Sequence, residues 1–298
     1  MKIIIFGIGI AGRAIYRQLQ QKHEIVGFIE NNKNLHGTLY NNIPIFAVEE
    51  LKQLSFDKIA MSGVWIESME KQLLDLNIPK DKIWLIEDSS LEFSTQDRIE
   101  NTDNIVKEFA KLMQKNNIEY CIEGSSLLCL LRGQNLSDVP DVDILIKSQN
   151  DLQKIWDLIN ENELLKQNQL IKVIYKEDRI LTKKDEIDKI IIKSNSNPSQ
   201  TEPTVLDINL AVDIGEYYIM DYEADYYLYF NKEFVDGKNY FDYKDMKLLI
   251  PYNAKEYVKL LYGENWKIPA KKWSFKDYGN LLDTDQLIDF IKKNKTDE

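Results

Sequence analysis

Short apolar runs alternate with amphipathic segments over the first ninety residues. The amphipathic segments repeat apolar residues at helical spacing, whereas the short runs are apolar throughout, as in strands buried on both faces. The predicted strands are Lys2–Phe6, Glu24–Ile29, Ile43–Phe46, Lys58–Met61 and Ile83–Ile86, with helices ending at Gln21 and covering Val48–Gln53 and Ser68–Leu76. We therefore expect residues 1–90 to form a small α/β domain with a parallel sheet.

The pattern changes at residues 91–102, which are polar and lack periodicity, so we expect a linker there. The remaining chain, residues 103–298, mixes a few helices with more closely spaced strands, which favours an α+β domain with a mixed sheet. Its predicted helices start at Asp103, follow Gly124 and cover Asn150–Asn162 and Ala254–Tyr262, and its predicted strands are Ile118–Ile122, Val142–Ile146, Leu170–Tyr175, Ile187–Ile192 and Val205–Leu210.

Three glycines after the first predicted strand form a candidate binding loop. Gly7, Gly9 and Gly12 give a complete Gly-x-Gly-x-x-Gly pattern, and Glu30 ends the second strand near the spacing at which an acidic side chain holds a ribose. This pattern is typical of Rossmann-like domains and predicts a nucleotide or nucleotide-sugar site. The alternative is that the glycines only let the strand and the helix pack closely, and the sequence favours neither interpretation.

The same domain resembles a known group. The segments GFIENN, NNIPIFAVEEL and IPKDKIW are similar to those of short Rossmann-like domains fused to glycan-tailoring enzymes such as sugar acetyltransferases. The resemblance implies either a nucleotide-sugar ligand at the glycine loop or a loop that serves packing alone.

Two aspartates at the start of a predicted strand indicate a metal site. Asp141 and Asp143 are two residues apart, so their side chains are expected on one face of the strand. Neighbouring carboxylates repel unless a cation lies between them, and oxygen ligands without histidine or cysteine favour Mg²⁺ or Mn²⁺. The competing interpretation is that both aspartates cap a turn or face water.

The turn before this strand adds a candidate anion site. Gly124, Ser125 and Ser126 open a short helix, whose N-terminal backbone N–H groups bind phosphate oxygens. Arg132 follows this helix and is expected to orient an aspartate or a donor phosphate, unless it is an ordinary surface arginine. A glycine turn followed by an Asp-x-Asp strand predicts phosphoryl or nucleotidyl transfer.

A third carboxylate is expected on a later strand. Asp207 lies between apolar neighbours, where a lone charge is costly unless it is paired or binds a metal. We assign Asp207 as the third metal ligand, with Asp213 as the alternative. An exposed aspartate on an edge strand is the competing interpretation.

Two segments of the second domain carry a family resemblance: SSLLCLLRGQNLSDVPDVDILI and IPYNAKEYVKLLYGENWKIPAKKW. In this order they are similar to the signatures of the LicD/fukutin-type phosphotransferases, which belong to the nucleotidyltransferase superfamily. Arg132 and the pair Asp141 and Asp143 match the first signature. Ser125 and Ser126 stand where the family has Gly-Thr, and the spacing to Asp141 is one residue shorter.

The resemblance implies a nucleotidyltransferase-like mixed-sheet domain. It further implies Mg²⁺-dependent transfer of a phosphorylated group, such as phosphocholine, from a CDP-linked donor to a sugar hydroxyl in surface-glycan (polysaccharide) biosynthesis. Two alternatives remain. One is a nucleotidyltransferase that uses a nucleoside triphosphate and releases pyrophosphate, and the other is a non-catalytic dinucleotide-binding or redox-sensing protein built on Gly7, Gly9 and Gly12.

The net charge bears on the kinds of molecule that the protein can bind. The formal net charge of −11 argues against nucleic acid, because phosphate backbones are held mainly by lysine and arginine. No stretch approaches the ~20 apolar residues of a membrane span, and the apolar N-terminus has the glycines of a turn rather than a cleavage site. We expect a cytoplasmic protein with Cys121 and Cys129 as buried thiols, and the sequence leaves a homo-oligomer open.

Overall fold

The computed structural model describes residues 1–63, 65–87, 90–195, 202–223, 225–270 and 273–294, and the chain divides into two units. The first unit contains Met1–Thr95 and two short later segments that include Glu202 and Phe275. The second unit contains most of the chain from Gln96 onward. The boundary at Thr95 therefore falls within residues 91–102, where the sequence predicts a linker.

Six strands form the sheet of the first unit: β1 (Lys2–Phe6), β2 (Glu24–Glu30), β3 (Leu39–Tyr40), β4 (Ile43–Ala47), β5 (Lys58–Met61) and β6 (Ile83–Leu85). Their order is β3-β4-β2-β1-β5-β6, and every neighbouring pair is parallel except β3 with β4. Helices α1 (Ile10–Leu19) and α2 (Ile66–Asp75) belong to the same unit. Along β1, Ile3 and Ile5 pack in one apolar cluster and Ile4 and Phe6 in another, as expected for a sheet covered on both faces.

The glycine loop between β1 and α1 has two positions that need glycine for structural reasons. Gly7 has a φ of +84°, and its N–H donates to the Ile29 carbonyl at 2.8 Å. A Cβ on Gly12 would lie 2.0 Å from the Gly7 carbonyl oxygen. Gly9 differs from both, because its φ is −68° and a Cβ there would meet no atom within 4 Å. Packing therefore explains Gly12 and backbone conformation explains Gly7, but neither explains Gly9.

The second unit has a mixed sheet. Its strands are β7 (Cys121–Ile122), β8 (Val142–Ile146), β9 (Gln169–Ile174), β10 (Ile187–Lys193), β11 (Val205–Ile214), β12 (Tyr217–Glu223), β13 (Tyr226–Asn231), β14 (Asn239–Tyr243), β15 (Met246–Ile250) and β16 (Leu281–Asp283). The order β16-β13-β12-β11-β10-β9 is antiparallel, whereas β8 pairs in parallel with β11, β7 pairs with β8, and β14 and β15 form a separate hairpin. The predicted fold class, α/β followed by α+β with a mixed sheet, is confirmed.

Six helices accompany this sheet: α3 (Gln96–Lys115), α4 (Gly124–Leu131), α5 (Gln149–Glu161), α6 (Lys232–Val235), α7 (Ala254–Tyr262) and α8 (Thr284–Asn294). The apolar faces of α3 to α7 and one face of the sheet share a large core, in which Phe109, Ile144 and Tyr257 are fully buried. Helix α8 packs in a smaller cluster, where its Leu287 lies with Ile214, Ile219 and Tyr227. None of the helices in the described ranges combines the length and the hydropathy that crossing a membrane requires.

The start of α3 corrects the sequence prediction. The helix begins at Gln96 rather than at Asp103, so most of the predicted linker is helical. The polarity of this stretch is misleading because two of its polar residues, Arg98 and Thr102, are buried. The Thr102 hydroxyl lies 2.7 Å from the Thr204 hydroxyl in a hydrogen bond, so its burial is compensated.

An acidic pair lies on the two sides of β11: Asp188 is on β10 and Asp221 is on β12. The Thr182 hydroxyl donates to Asp188 at 2.9 Å, and Arg179 lies 3.8 Å from Asp221. Burial and the charge of Asp188 raise the pKa of Asp221 to about 7, against the opposing effect of Arg179. The ionised form of Asp221 is therefore disfavoured in the folded chain.

We expect Gly12→Ala to destabilise the first unit by about 3 kcal/mol, because the new Cβ meets backbone that must move. Gly9→Ala is the matched control and should cost less than about 1 kcal/mol, the loss of a weak N-cap preference. Hydrogen exchange of the β1 amides measures both effects locally. Equal losses in the two variants would show that the close approach at Gly12 does not determine stability.

We expect Asp221→Asn to remove a pH-dependent part of the stability. A carboxyl whose folded pKa is raised stabilises the fold below its unfolded pKa near 4, and this contribution is lost as the pH rises through about 7. The free energy of unfolding of the native chain should thus fall, relative to the variant, by up to about 4 kcal/mol between pH 4 and pH 8. Urea unfolding at both pH values measures this difference, and a constant difference would contradict the raised pKa.

Candidate functional site

The parallel pairing of β8 with β11 brings the predicted aspartates together. Asp143 on β8 lies directly opposite Asp207 on β11, and Asp141 precedes β8 by one residue. Each of the three residues offers a carboxylate oxygen, and these oxygens all lie within 4.8 Å of one another. The structure therefore places Asp141, Asp143 and Asp207 in one cluster, as the sequence predicts.

The fallback ligand, Asp213, lies elsewhere. Its carboxylate accepts a hydrogen bond from Lys232 Nζ at 2.6 Å, and its side chain is 56% exposed. Asp213 is on the same strand as Asp207, but it belongs to the half of β11 that pairs with β12. Of the two alternatives left by the sequence, Asp207 is the one that joins the cluster.

The glycine-serine turn lies against the aspartates. Gly124 has a φ of +56°, and a Cβ there would lie 3.1 Å from Asp143 Oδ2. The Ser126 hydroxyl accepts from the Asp143 backbone N–H at 2.9 Å and donates to the Asp141 carbonyl at 3.2 Å. Ser125 is more loosely placed, with its hydroxyl 3.4 Å from Asp143 Oδ2. The turn thus fixes the backbone that carries both aspartates, and Gly124 avoids a close contact with Asp143.

Burial and mutual repulsion raise the pKa values of two of these carboxyls. Burial, followed by the charge of Asp207, raises the pKa of Asp141 to about 6, and Lys189 and Arg98 oppose this effect. The pKa of Asp143 is raised well above its usual range by burial and then by the charges of Asp141 and Glu123. A cation between the carboxylates would relieve both effects.

Asp207 provides the sharpest indication of a cation. Its Oδ2 accepts from Lys189 Nζ at 3.0 Å, whereas its Oδ1 is buried and has no hydrogen-bond partner within the described part of the chain. A buried carboxylate oxygen without a partner is costly unless a cation binds it. Three carboxylates with no histidine or cysteine in the cluster fit a hard divalent cation such as Mg²⁺ or Mn²⁺.

Three further residues that the sequence analysis missed act on this cluster. Lys189 is bonded to Asp207, and Arg98 donates from α3 to the carbonyls of Val139 and Pro140, directly before Asp141. Glu123 is buried beside Gly124, and burial raises its pKa to about 7. Glu123 directly precedes the predicted turn at Gly124, and this position could have identified it from the sequence. Lys189 and Arg98 could not be identified in this way, because their contacts are with residues distant in sequence.

Arg132 has a different partner from the one that the sequence suggests. Its guanidinium donates to the Trp266 carbonyl through Nε at 2.9 Å and through a second nitrogen. Trp266 belongs to the second of the two segments that resemble the LicD/fukutin signatures. In the structure Arg132 thus joins the two segments, and its assignment to a donor phosphate stays a prediction.

The second segment also supports the turn. Tyr257 on α7 is fully buried, and its hydroxyl lies 3.4 Å from Glu123 Oε2. The charge of Glu123 and burial raise the pKa of Tyr257 well above its usual range, with burial the larger cause. The residues Glu123 and Arg132, at the two ends of α4, are therefore both held by the C-terminal segment.

The glycine loop of the first unit forms a separate candidate site. Glu30 does not extend freely from β2, because its Oε2 accepts from the Ile8 N–H at 3.1 Å and its Oε1 accepts from the backbone N–H groups of Asn31 and Asn32. These bonds hold the loop that contains Gly7 and Gly9. A ribose at Glu30 would have to share its carboxylate with this loop, so its role toward a ligand stays a prediction.

Comparison with known proteins matches the first unit to a family. Residues 1–84 match the family model described as C2185-like, N-terminal. That model does not extend to the segments that carry the LicD/fukutin resemblance. No curated protein matches the chain.

A comparison with solved structures found similarities of low TM-score. The lincosamide antibiotic adenylyltransferase LnuA, bound to lincomycin, is 15% identical over 65% of this chain and 95% of that chain, with a TM-score of 0.35. UDP-D-quinovosamine 4-dehydrogenase from Vibrio fischeri is 20% identical over 34% of this chain and 83% of that chain, with a TM-score of 0.25. The oxidoreductase-like protein YvaA from Bacillus subtilis, described as putative, is 9% identical over 98% and 96% of the two chains, with a TM-score of 0.24. With TM-scores below 0.5, these similarities assign neither a family nor a function to the chain.

Proposed function

We propose that the second unit is an enzyme that transfers a phosphorylated group from a nucleotide-activated donor to a hydroxyl, with Mg²⁺ or Mn²⁺ as its cofactor. The observation that carries this proposal is the cluster of Asp141, Asp143 and Asp207, whose carboxylate oxygens lie within 4.8 Å of one another. Asp207 also has a buried oxygen, Oδ1, that finds no hydrogen-bond partner among the described residues. Clustered carboxylates of this kind hold the cations that neutralise phosphate oxygens.

The residues of the cluster have distinct roles in this proposal. Asp141, Asp143 and Asp207 hold the cation, which when bound supplies the positive charge that phosphoryl transfer requires. The first turn of α4, at Gly124 to Ser126, directs its backbone N–H groups toward the donor phosphates. Gly124 is essential to this arrangement because a side chain there would crowd Asp143.

The proposed reaction is a transfer of the phosphorylated group from the nucleotide to a hydroxyl. The acceptor hydroxyl oxygen forms a bond to the transferred phosphorus, and the bond from that phosphorus to the nucleotide oxygen breaks. Asp207 takes up the hydroxyl proton, and the donor leaves as a nucleoside monophosphate. The LicD/fukutin resemblance supports a CDP-linked donor, a phosphocholine-like transferred group and a sugar of a surface glycan as the acceptor, with the reaction in the cytoplasm.

The products distinguish this reaction from the nucleotidyl alternative. A nucleotidyltransferase would use the same three aspartates but would consume a nucleoside triphosphate and release pyrophosphate. We expect CMP from CDP-choline or CDP-glycerol in the presence of Mg²⁺ and a sugar acceptor, detected by chromatography. Pyrophosphate from CTP, without CMP from the CDP-linked donors, would favour the alternative.

Gly9 supports a binding function for the first unit. It is a glycine that neither packing nor backbone conformation explains, and the space above it is open. We expect Gly9→Ala to abolish the binding of a nucleotide-sugar or dinucleotide, measured by calorimetry with UDP-sugars and NAD⁺, and to leave phosphotransfer at saturating donor unchanged. If native chain binds none of these ligands, the glycine loop serves packing alone.

Asp141→Asn tests the carboxylate cluster through opposite effects on stability and activity. Removing one of three repelling charges should leave the metal-free protein equally stable or slightly more stable. The same change should weaken stabilisation by Mg²⁺ and lower the transfer rate about a thousandfold, or ~4 kcal/mol, because the lost ligand no longer holds the neutralising charge. Thermal unfolding with and without Mg²⁺ measures the first effect, and CMP release measures the second.

Asp213→Asn is the matched control, because it removes the same group from an exposed position on the same strand, outside the cluster. It should change neither the response to Mg²⁺ nor the transfer rate. If Asp141→Asn instead destabilises the metal-free protein by more than about 1 kcal/mol, as the loss of a cap would, and Mg²⁺ stabilises no variant, the aspartates are structural and the proposed function is wrong.

A further inference from the structure

Lys189 is a positive charge within a group of four carboxyls. Its side chain is 24% exposed, and its Nζ lies 3.0 Å from Asp207 Oδ2. Its charge also acts on Asp141, Asp143 and Glu123, where it opposes the rise in pKa that burial causes. Lys189 therefore opposes the repulsion within the whole cluster, rather than forming an isolated ion pair with Asp207.

The position of Lys189 explains how it reaches the cluster. Lys189 lies on β10 opposite Asn209 of β11, so its side chain is on the sheet face that also carries Asp207. The four-carbon stem then crosses diagonally to the Asp207 carboxylate. The long, flexible stem gives the ammonium group several alternative positions around a fixed Cα.

Lys189 and a divalent cation compete for Asp207. The bond to Lys189 engages Oδ2, while Oδ1 remains buried and without a partner. A divalent cation bound by Asp207 would repel an ammonium group at this distance, because like charges a few ångströms apart and away from water repel strongly. A cation at Asp207 Oδ1 would therefore weaken the bond between Lys189 and Oδ2 through this repulsion, although the two groups use different oxygens.

We propose that Lys189 is the internal counter-ion of the cation site: it neutralises Asp207 in the metal-free protein and moves to the phosphates of the anionic donor when the cation takes Asp207. This inference rests on the proposed function and adds a donor-binding residue to it. Anionic phosphates approach the same cluster, so the displaced ammonium group needs only to rotate about its stem. The exchange keeps a positive charge beside the aspartates until the cation arrives, and it couples cation binding to donor binding.

The exchange predicts that Lys189→Met has opposite effects on two ligands. Mn²⁺, measured by calorimetry, should bind about fivefold more tightly or better, because its competitor for Asp207 is gone. CDP and inorganic pyrophosphate, measured with Mg²⁺ present, should bind about tenfold more weakly or worse, because one charge-assisted bond to phosphate is lost. Lys189→Arg retains the charge and should restore much of the anion affinity.

Two further variants control for misfolding and for a general effect of charge. Lys189→Gln keeps a polar side chain that can donate to Asp207, and it should reproduce both effects if the methionine variant does not fold. Lys193→Met removes an equal charge from the same strand, four residues further on, and should leave both affinities unchanged. A similar change in Lys193→Met would show that general electrostatics, rather than the position of Lys189, is responsible, and would overturn the inference.

The outcomes separate this inference from the proposed function. If the native chain does not bind Mn²⁺, both are wrong. If the native chain binds Mn²⁺ but Lys189→Met and Lys189→Gln bind it with equal or lower affinity, Lys189 is a structural partner of Asp207 and only the inference is wrong. Unchanged anion affinity in both variants, or no anion binding by the native chain, likewise overturns the role of Lys189 toward the donor.

Discussion

The repulsion among three half-buried carboxylates is the constraint on which the second unit depends. Asp141, Asp143 and Asp207 are brought together by one parallel strand pair, and such a pair keeps its charges close only if neighbouring groups oppose their repulsion. Lys189 does this by direct contact, and Arg98 does it while also holding the backbone before Asp141. The aspartates in turn compensate the burial of Lys189 and Arg98, which would be costly for isolated cations.

The supporting contacts extend from the cluster to the C-terminal part of the chain. The helix α4 begins at the turn that contacts Asp143, and its ends are held by Tyr257 through Glu123 and by Trp266 through Arg132. The two segments that resemble the LicD/fukutin signatures are far apart in sequence but adjacent in space. The two segments therefore act together: the first places α4 beside the aspartates, and the second holds both ends of that helix.

The sequence predicts the residues of the site that lie in recognisable local patterns, and it misses those that depend on partners distant in sequence. The strands carrying Asp143 and Asp207 are recognisable because their other residues are apolar, and the two-residue spacing places Asp141 beside Asp143. Lys189 and Arg98 give no such signal, because their importance arises from partners 18 and about forty residues away. The start of α3 is predicted too late because Arg98 and Thr102 are polar but buried. Their hydrogen-bond partners lie far away in sequence, so the local sequence resembles that of a linker.

The glycine loop shows how a binding motif and a structural motif can coincide. Gly12 is required by the Gly7 carbonyl, and Gly7 is required by its own backbone conformation, so two of the three glycines would be present without any ligand. Glu30 likewise has a structural partner in the Ile8 N–H. Gly9 alone among the three has no structural requirement, and an unfilled space beside a helix N-terminus is where a phosphate would approach. The case for a ligand at the first unit therefore depends on Gly9 rather than on the complete pattern.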